Sequence, residues 1–188
     1  SESAPVIVKA FEWFRVAGIQ VNFGFQVDQL SLMMVMIITG IGSLIHLYSI
    51  GYMSHDKGFY KFFTYLNLFI FSMLLLVLGS NYLILFIGWE GVGLCSYLLI
   101  GFWFKNKEYG KAARKAFIMN RIGDLGLLMG IFMIAFHTNA FDYLSVAQNA
   151  SKFELDGSVI IFICAALFIG ATGKSAQVPL YTWLPDAM

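Results

Sequence analysis

Three ionisable side chains lie inside long apolar runs of this sequence: Glu90, Asp124 and Lys174. A charged side chain near the centre of a bilayer costs a few kcal/mol or more, so an ionisable group at that depth indicates a functional site by default. Groups of opposite sign offset this cost when they face one another or a wet cavity inside a helix bundle. We therefore interpret the three residues as a candidate proton-binding site, in which a carboxylate that faces Lys174 sets the proton affinity of the lysine.

Each of these residues also has a structural interpretation. Glu90 could be a protonated carboxyl group that bonds a neighbouring helix, and Asp124 could pair with Arg121, three residues earlier on the same helix. Lys174 could extend its amino group to the membrane surface, as lysines near helix ends do. Pro179 follows Lys174 closely, however, and interrupted membrane helices commonly line polar cavities near the midplane.

The composition places these residues in a membrane protein. Of the 188 residues, 59% are hydrophobic and only 12% are charged, and the mean hydropathy of +0.75 is outside the range of ordinary soluble domains. The net charge of +1 provides no basic field that would attract nucleic acid. Cys95 and Cys164 lie in apolar runs and lack metal-ligand spacing, so neither a disulfide nor a metal site is expected. We also expect no cofactor and no redox centre on this chain.

The apolar runs predict an all-α polytopic membrane protein with about five transmembrane helices, because about 20 apolar residues span the roughly 30 Å hydrocarbon core. Residues 29–188 form this predicted bundle, with helices at about 30–50, 62–78, 82–104, 116–136 and 158–176. The last helix is expected to be broken, because Pro179 and Pro185 interrupt an apolar pattern that then resumes.

The first 28 residues carry too many charges to span a bilayer and form a short extramembrane N-terminal segment. Polar and apolar residues alternate from Ile19 to Asp28, and this period of two is typical of a half-buried strand. Residues 1–28 are therefore predicted to form an outward-facing loop or hairpin.

The orientation follows from the charges of the connecting loops. The loops 51–61 and 105–115 share one side and together contain seven Lys or Arg residues, whereas the loops 79–81 and 137–158 contain one, Lys152. By the positive-inside rule, the two basic loops are cytoplasmic. This predicts a multi-pass protein of the bacterial inner membrane, with the mitochondrial inner membrane as the less favoured location.

Two long motifs resemble those of a known family. Residues 88–101 read GWEGVGLCSYLLIG and residues 173–188 read GKSAQVPLYTWLPDAM, and both closely resemble the distal antiporter-like subunits of respiratory complex I. The shorter motifs RIGD at 121–124 and VDQLSL at 27–32 are similar to that family as well. The resemblance extends over nearly the whole chain, and the two long motifs are highly specific.

The resemblance implies a subunit of a proton-translocating NADH:quinone oxidoreductase, related to subunits of multi-subunit sodium/proton antiporters. In that family the residues that match Glu90 and Lys174 form the key charge pair, and the residue that matches Asp124 is also implicated. Its implied partners are other membrane subunits of the complex, especially a neighbouring antiporter-like subunit, together with lipid and protons. The family has further helices before Ser1 and after Met188, so the chain is expected to be a fragment that contains about one half-channel.

The predicted function is therefore proton translocation through a buried Glu90–Lys174 pair, driven by quinone reduction on other chains. The chain would be an enzyme subunit, a translocase, without redox catalysis of its own. Two alternatives remain: a subunit of a sodium/proton antiporter complex would carry the same buried charges, and the polar residues could instead be assembly contacts between subunits.

Overall fold

The structure, a computed structural model, describes residues 4–16, 18–149, 151 and 157–188. A few positions of the predicted terminal segment and of the predicted loop 137–158, Lys152 among them, lie outside the described residues. The elements along the chain are β1 (Val6–Val16), β2 (Ile19–Val27), α1 (Gln29–Tyr52), α2 (Phe59–Leu78), α3 (Tyr82–Ile100), α4 (Lys107–Thr138), α5 (Tyr143–Gln148), α6 (Gly157–Lys174) and α7 (Leu184–Ala187). In the described part of the chain, α1 to α4 and α6 are long and apolar enough to span a membrane. This confirms the predicted polytopic helical fold.

The strands β1 and β2 form an antiparallel hairpin with pairs from Val6–Val27 to Val16–Ile19. Asp28 joins this hairpin to α1 as the N-terminal cap of the helix. Its carboxylate accepts a hydrogen bond from the Ser31 backbone N–H at 2.8 Å, while the Ser31 hydroxyl accepts one from the Asp28 N–H at 2.7 Å. The Ser31 N–H bond lowers the pKa of Asp28, because it stabilises the ionised carboxylate.

The turn between α2 and α3 lies against the hairpin. Asn81 caps α3 by accepting hydrogen bonds from the N–H groups of Leu83 and Ile84, and its amide group donates to the Asn22 carbonyl at 2.8 Å. The Tyr82 N–H donates to the carbonyl of Phe141, which follows α4. The hairpin, the α2–α3 turn and the segment after α4 therefore lie together at one end of the bundle.

The basic segments meet at the other end, where the Trp103 indole N–H donates to the Asp56 carboxylate at 2.8 Å. The predicted loop at 105–115 is wrong in its secondary structure, because α4 already begins at Lys107. Asn106 caps this helix through the Glu108 N–H, and the residues that follow are rich in Lys, Arg and Ala. These residue types favour helix, but a search for apolar runs does not detect them.

The contact between α4 and α6 depends on glycine. A Cβ atom on Gly123 would lie 3.0 Å from the Gly173 Cα, and a Cβ atom on Gly170 would lie 2.7 Å from the Leu127 Cβ. Small residues let two membrane helices approach closely, and here they bring the backbones together at the level of Lys174. The rotation of α6 about its axis is thereby set relative to α4.

The predicted break follows α6, which ends at Lys174. Beyond it the Trp183 indole N–H donates to the Gly173 carbonyl at 3.1 Å, and the short helix α7 follows. The Lys115 amino group lies 2.6 Å from the Asp186 carboxylate. These contacts hold the segment after the break against the helix end and against the start of α4.

Candidate functional site

The helices α3, α4 and α6 bring four ionisable residues together inside the bundle. Glu90 lies on α3, Arg121 and Asp124 lie on α4, and Lys174 is the last residue of α6. The side chains of Asp124, Lys174 and Glu90 are 5%, 16% and 19% exposed, whereas that of Arg121 is half exposed. Three of the four groups are therefore largely removed from the surface of this chain.

Lys174 faces Asp124. Its amino nitrogen lies 3.7 Å from Oδ2 of Asp124, beyond the ordinary length of a charge-assisted hydrogen bond, and it has no hydrogen-bond partner among the described residues. The other carboxylate oxygen, Oδ1, accepts a hydrogen bond from the Trp89 indole N–H at 2.7 Å. Asp124 is thus held by a neutral donor on one side and attracted by a cation on the other.

Glu90 faces Arg121, and the two charged groups approach to 2.6 Å between Oε2 and the guanidinium. The same guanidinium lies 5.0 Å from the ring centre of Phe117, in cation–π geometry. The second carboxylate oxygen of Glu90, Oε1, is buried and has no hydrogen-bond partner in the described part of the chain. One oxygen of Glu90 therefore remains available for a further contact.

Glycine also shapes the position of the lysine. A side chain on Gly93 would collide with the amino group of Lys174, so the lysine runs directly along the backbone of α3, one helical turn from Glu90. The amino group of Lys174 therefore remains inside the bundle beside Asp124 and does not extend toward the end of the helix bundle.

The structure brings the three predicted residues into one site but pairs them differently from the prediction. Glu90 and Lys174 form no direct ion pair within the described residues, since Glu90 contacts Arg121 and Lys174 contacts Asp124. The alternative pair of Arg121 with Asp124 is likewise not among the ion pairs of the described residues. Whether the three residues act in proton transfer stays a prediction.

Sequence reasoning missed Trp89 and the role of Arg121 as the partner of Glu90. Arg121 carried a usable signal, because it is a further charge inside the apolar run that contains Asp124. Trp89 carried a weaker one, since a tryptophan beside a buried carboxylate can donate a hydrogen bond but usually serves packing. Among the described residues, no group of three or more His, Cys, Asp or Glu side chains could hold a metal ion.

A bundle of candidate membrane helices that encloses acids and bases, one of them at a helix break, defines the class as polytopic membrane proteins with a buried charged site. Comparison with known proteins specifies the class further. Residues 79–188 match the family model "NADH:quinone oxidoreductase/Mrp antiporter, TM", and residues 13–63 match "NADH-Ubiquinone oxidoreductase (complex I), chain 5 N-terminus". The chain belongs to the NADH:quinone oxidoreductase/Mrp antiporter membrane family.

Individual relatives agree with this family. The chain is 56% identical over 181 residues to NADH-quinone oxidoreductase subunit L of Campylobacter jejuni, and the matched region covers 96% of this chain and 29% of the relative. It is 49% identical over 180 residues to subunit L of Mycobacterium tuberculosis, with 96% and 28% covered. A structure of the Mrp complex from Dietzia sp. matches with a TM-score of 0.84 and 28% identity, and the match covers 97% of this chain and 20% of the chain in that complex. The chain spans less than a third of the length of these curated relatives.

Proposed function

We propose that this chain is part of a proton-translocating membrane subunit of an NADH:quinone oxidoreductase, and that Lys174 binds the proton inside the membrane. The observation that carries the proposal is the lysine amino group buried beside Asp124 at 3.7 Å, without a hydrogen-bond partner among the described residues. A buried lysine without close hydrogen bonds exchanges its proton more readily than one held in a short ion pair.

Charge balance explains how the other groups would act. With Glu90 and Asp124 ionised and with Arg121 and Lys174 protonated, the four charges sum to zero. Loss of the lysine proton leaves one negative charge in excess, and the two carboxylates then favour rebinding. Movement of a carboxylate toward or away from Lys174 would therefore shift the lysine between its two protonation states.

Arg121 supplies the means for such a shift. It lies three residues before Asp124 on α4, a spacing at which helical side chains are neighbours, and it contacts Glu90 across the α3–α4 interface. The guanidinium can therefore exchange one carboxylate for the other by a change of side-chain rotamer. With Arg121 on Asp124, Glu90 would lose its cation and become the natural partner of Lys174, which is the predicted Glu–Lys pair.

The proposed setting is a bacterial inner membrane, with the basic end of the bundle in the cytoplasm and the hairpin end outside. The chain would be assembled with other membrane subunits, including a neighbouring antiporter-like subunit, and quinone reduction on other chains would supply the free energy. The relatives named as subunits of NADH-quinone oxidoreductase support this setting.

The test uses the full-length subunit in its assembled complex, with the substitutions Glu90→Gln, Asp124→Asn and Lys174→Met. Each should abolish or strongly slow NADH-driven formation of a pH gradient, while the mutant subunit is still incorporated. Glu108→Gln and Lys111→Met are matched controls, because this exposed pair at the start of α4 has the same chemistry outside the site. A normal pH gradient with Lys174→Met in the incorporated subunit would refute the proposal.

A second candidate function is that of a subunit in a sodium/proton antiporter complex without redox partners. The structural match to an Mrp complex favours it. Purification of the native complex decides between the two, because flavin and iron–sulfur subunits should co-purify only in the first case. If the polar residues are instead assembly contacts, Glu90→Gln should prevent incorporation of the subunit rather than slow the pH gradient.

A further inference from the structure

One buried polar residue beside the site has no role in the four-charge arrangement. Asn120 on α4 is 3% exposed, and its side-chain oxygen is buried without a hydrogen-bond partner among the described residues. Leaving such a group unsatisfied costs about 1–3 kcal/mol, and buried polar groups nearly always bond protein or ordered water. This asparagine therefore indicates a bound partner.

Asn120 lies at the junction between the charged site and the helix break. It precedes Asp124 by one helical turn on the same face of α4, about 6 Å along the helix axis toward the basic end. Its backbone carbonyl oxygen would lie 3.6 Å from a Cβ atom on Gly173, the residue before Lys174. The asparagine is thus next to the point at which α6 ends.

Asn120 and Asp124 are consecutive buried polar side chains of α4, and beyond Asp124 the buried residues of the helix are apolar as far as Ala135. Toward the hairpin end, the next buried side chains of α4 are apolar, with Leu127 6% and Ile131 0% exposed. The segment after the break carries a second such group, because the Thr182 hydroxyl oxygen is also buried without a hydrogen-bond partner among the described residues. That segment reaches the Lys115–Asp186 ion pair at the basic end.

We propose that Asn120 binds an ordered water molecule that connects the Lys174–Asp124 pair to the basic end of the bundle. The inference rests on the proposed proton translocation and assigns its first step on the basic side. A buried water needs two to four polar partners. The water would donate a hydrogen bond to the side-chain oxygen of Asn120 and accept one from the Lys174 ammonium group. The Thr182 hydroxyl would be the next hydrogen-bonding group toward the basic end.

The test compares Asn120→Leu with Thr138→Val in the full-length subunit of the assembled complex. Thr138 is a matched control, because it is a buried polar residue of α4 whose hydroxyl bonds the Ile134 carbonyl at the hairpin end. Asn120→Leu should slow NADH-driven pH-gradient formation roughly tenfold, the equivalent of one lost hydrogen bond of about 1.4 kcal/mol. Asn120→Ser, which restores a hydroxyl and leaves room for water, should recover most of the rate, whereas Thr138→Val should keep it.

A structure of the same complex that resolves ordered water provides the second measurement. Water within hydrogen-bond distance of the Asn120 amide supports the inference, and a protein side chain in that place overturns it even if Asn120→Leu fails to assemble. A normal rate in Asn120→Leu together with a lost gradient in Lys174→Met overturns this inference alone. A normal gradient in Lys174→Met overturns the proposed function, while the density at Asn120 still decides whether water binds there.

Discussion

The guanidinium of Arg121 lies 2.6 Å from the Glu90 carboxylate on the neighbouring helix, although Arg121 is only one turn from Asp124 on its own helix. The two acids of the site are thereby matched to different bases, since Lys174 faces Asp124 at 3.7 Å. In the proposed mechanism, a change of the Arg121 side-chain rotamer would exchange Glu90 for Asp124 as its partner. The contacts around these four groups lead to three predictions, and the contact between Trp103 and Asp56 at the basic end leads to a fourth.

Arg121→Gln should slow proton pumping, because it leaves Glu90 without its cation and so changes the charge around Lys174. If the two changes acted independently, the rate of the Arg121→Gln/Glu90→Gln double variant would fall by the product of the two single-variant effects. We expect the double variant to pump about fivefold faster than that product. That factor corresponds to a coupling of about 1 kcal/mol, at the low end for contacting residues because Arg121 is half exposed. Pumping rates of the single and double variants form the cycle, with Arg114→Gln as the control on the exposed side of α4.

Trp89→Phe should slow pumping while assembly continues, because it removes the hydrogen bond to Asp124 but keeps an aromatic ring. A hydrogen bond to a charged group contributes about 1.5–3 kcal/mol. Trp103→Phe is the matched control, since it removes an indole–carboxylate bond of the same kind to Asp56 at the basic end. Equal effects of the two changes on pumping would count against a role for Trp89 at the site.

Gly93→Ala should impair pumping although it adds only one methyl group. The new Cβ atom would collide with the Lys174 amino group, so the end of the lysine side chain must shift from its present position beside Asp124. Gly40→Ala on α1 is the control, because a Cβ atom there meets nothing within 4 Å. The measurement is the initial rate of the NADH-driven pH gradient, and unchanged pumping in Gly93→Ala would show that the lysine position is not critical.

Asp56 should contribute to stability near neutral pH and lose this contribution in acid. The Trp103 indole N–H and then the Gly58 backbone N–H lower the pKa of Asp56 relative to the unfolded chain. Its contribution is therefore complete above the unfolded value of 3.8 and disappears as pH falls through the lower, folded value. Thermal unfolding of the purified protein should show Asp56→Asn as destabilising at pH 7 and nearly neutral at the acid end. An equal difference at both pH values would contradict this assignment.

The amino-acid sequence by itself determined the polytopic helical fold, the five candidate spans and the helices that carry the three ionisable groups. These properties depend on local hydropathy and on the cost of charge in a bilayer, which can be read from one segment at a time. It was less successful where helix formation depends on residues other than apolar ones. The start of α4 at Lys107 is the clearest case, because charged helix formers extend the span beyond its apolar part.

Only the tertiary structure decided which acid meets which base. The spacing of Arg121 and Asp124 permits a pair on one helix, and the motif around Glu90 and Lys174 suggests another pair, so the sequence is compatible with several arrangements. The choice depends on the rotation and separation of α3, α4 and α6. The contact between Gly123 and Gly173 sets the approach of α4 to α6, and Gly93 leaves the space beside α3 that the Lys174 amino group occupies. A shift of a few ångströms at these contacts changes which charged groups are in reach, and no local pattern encodes such a distance.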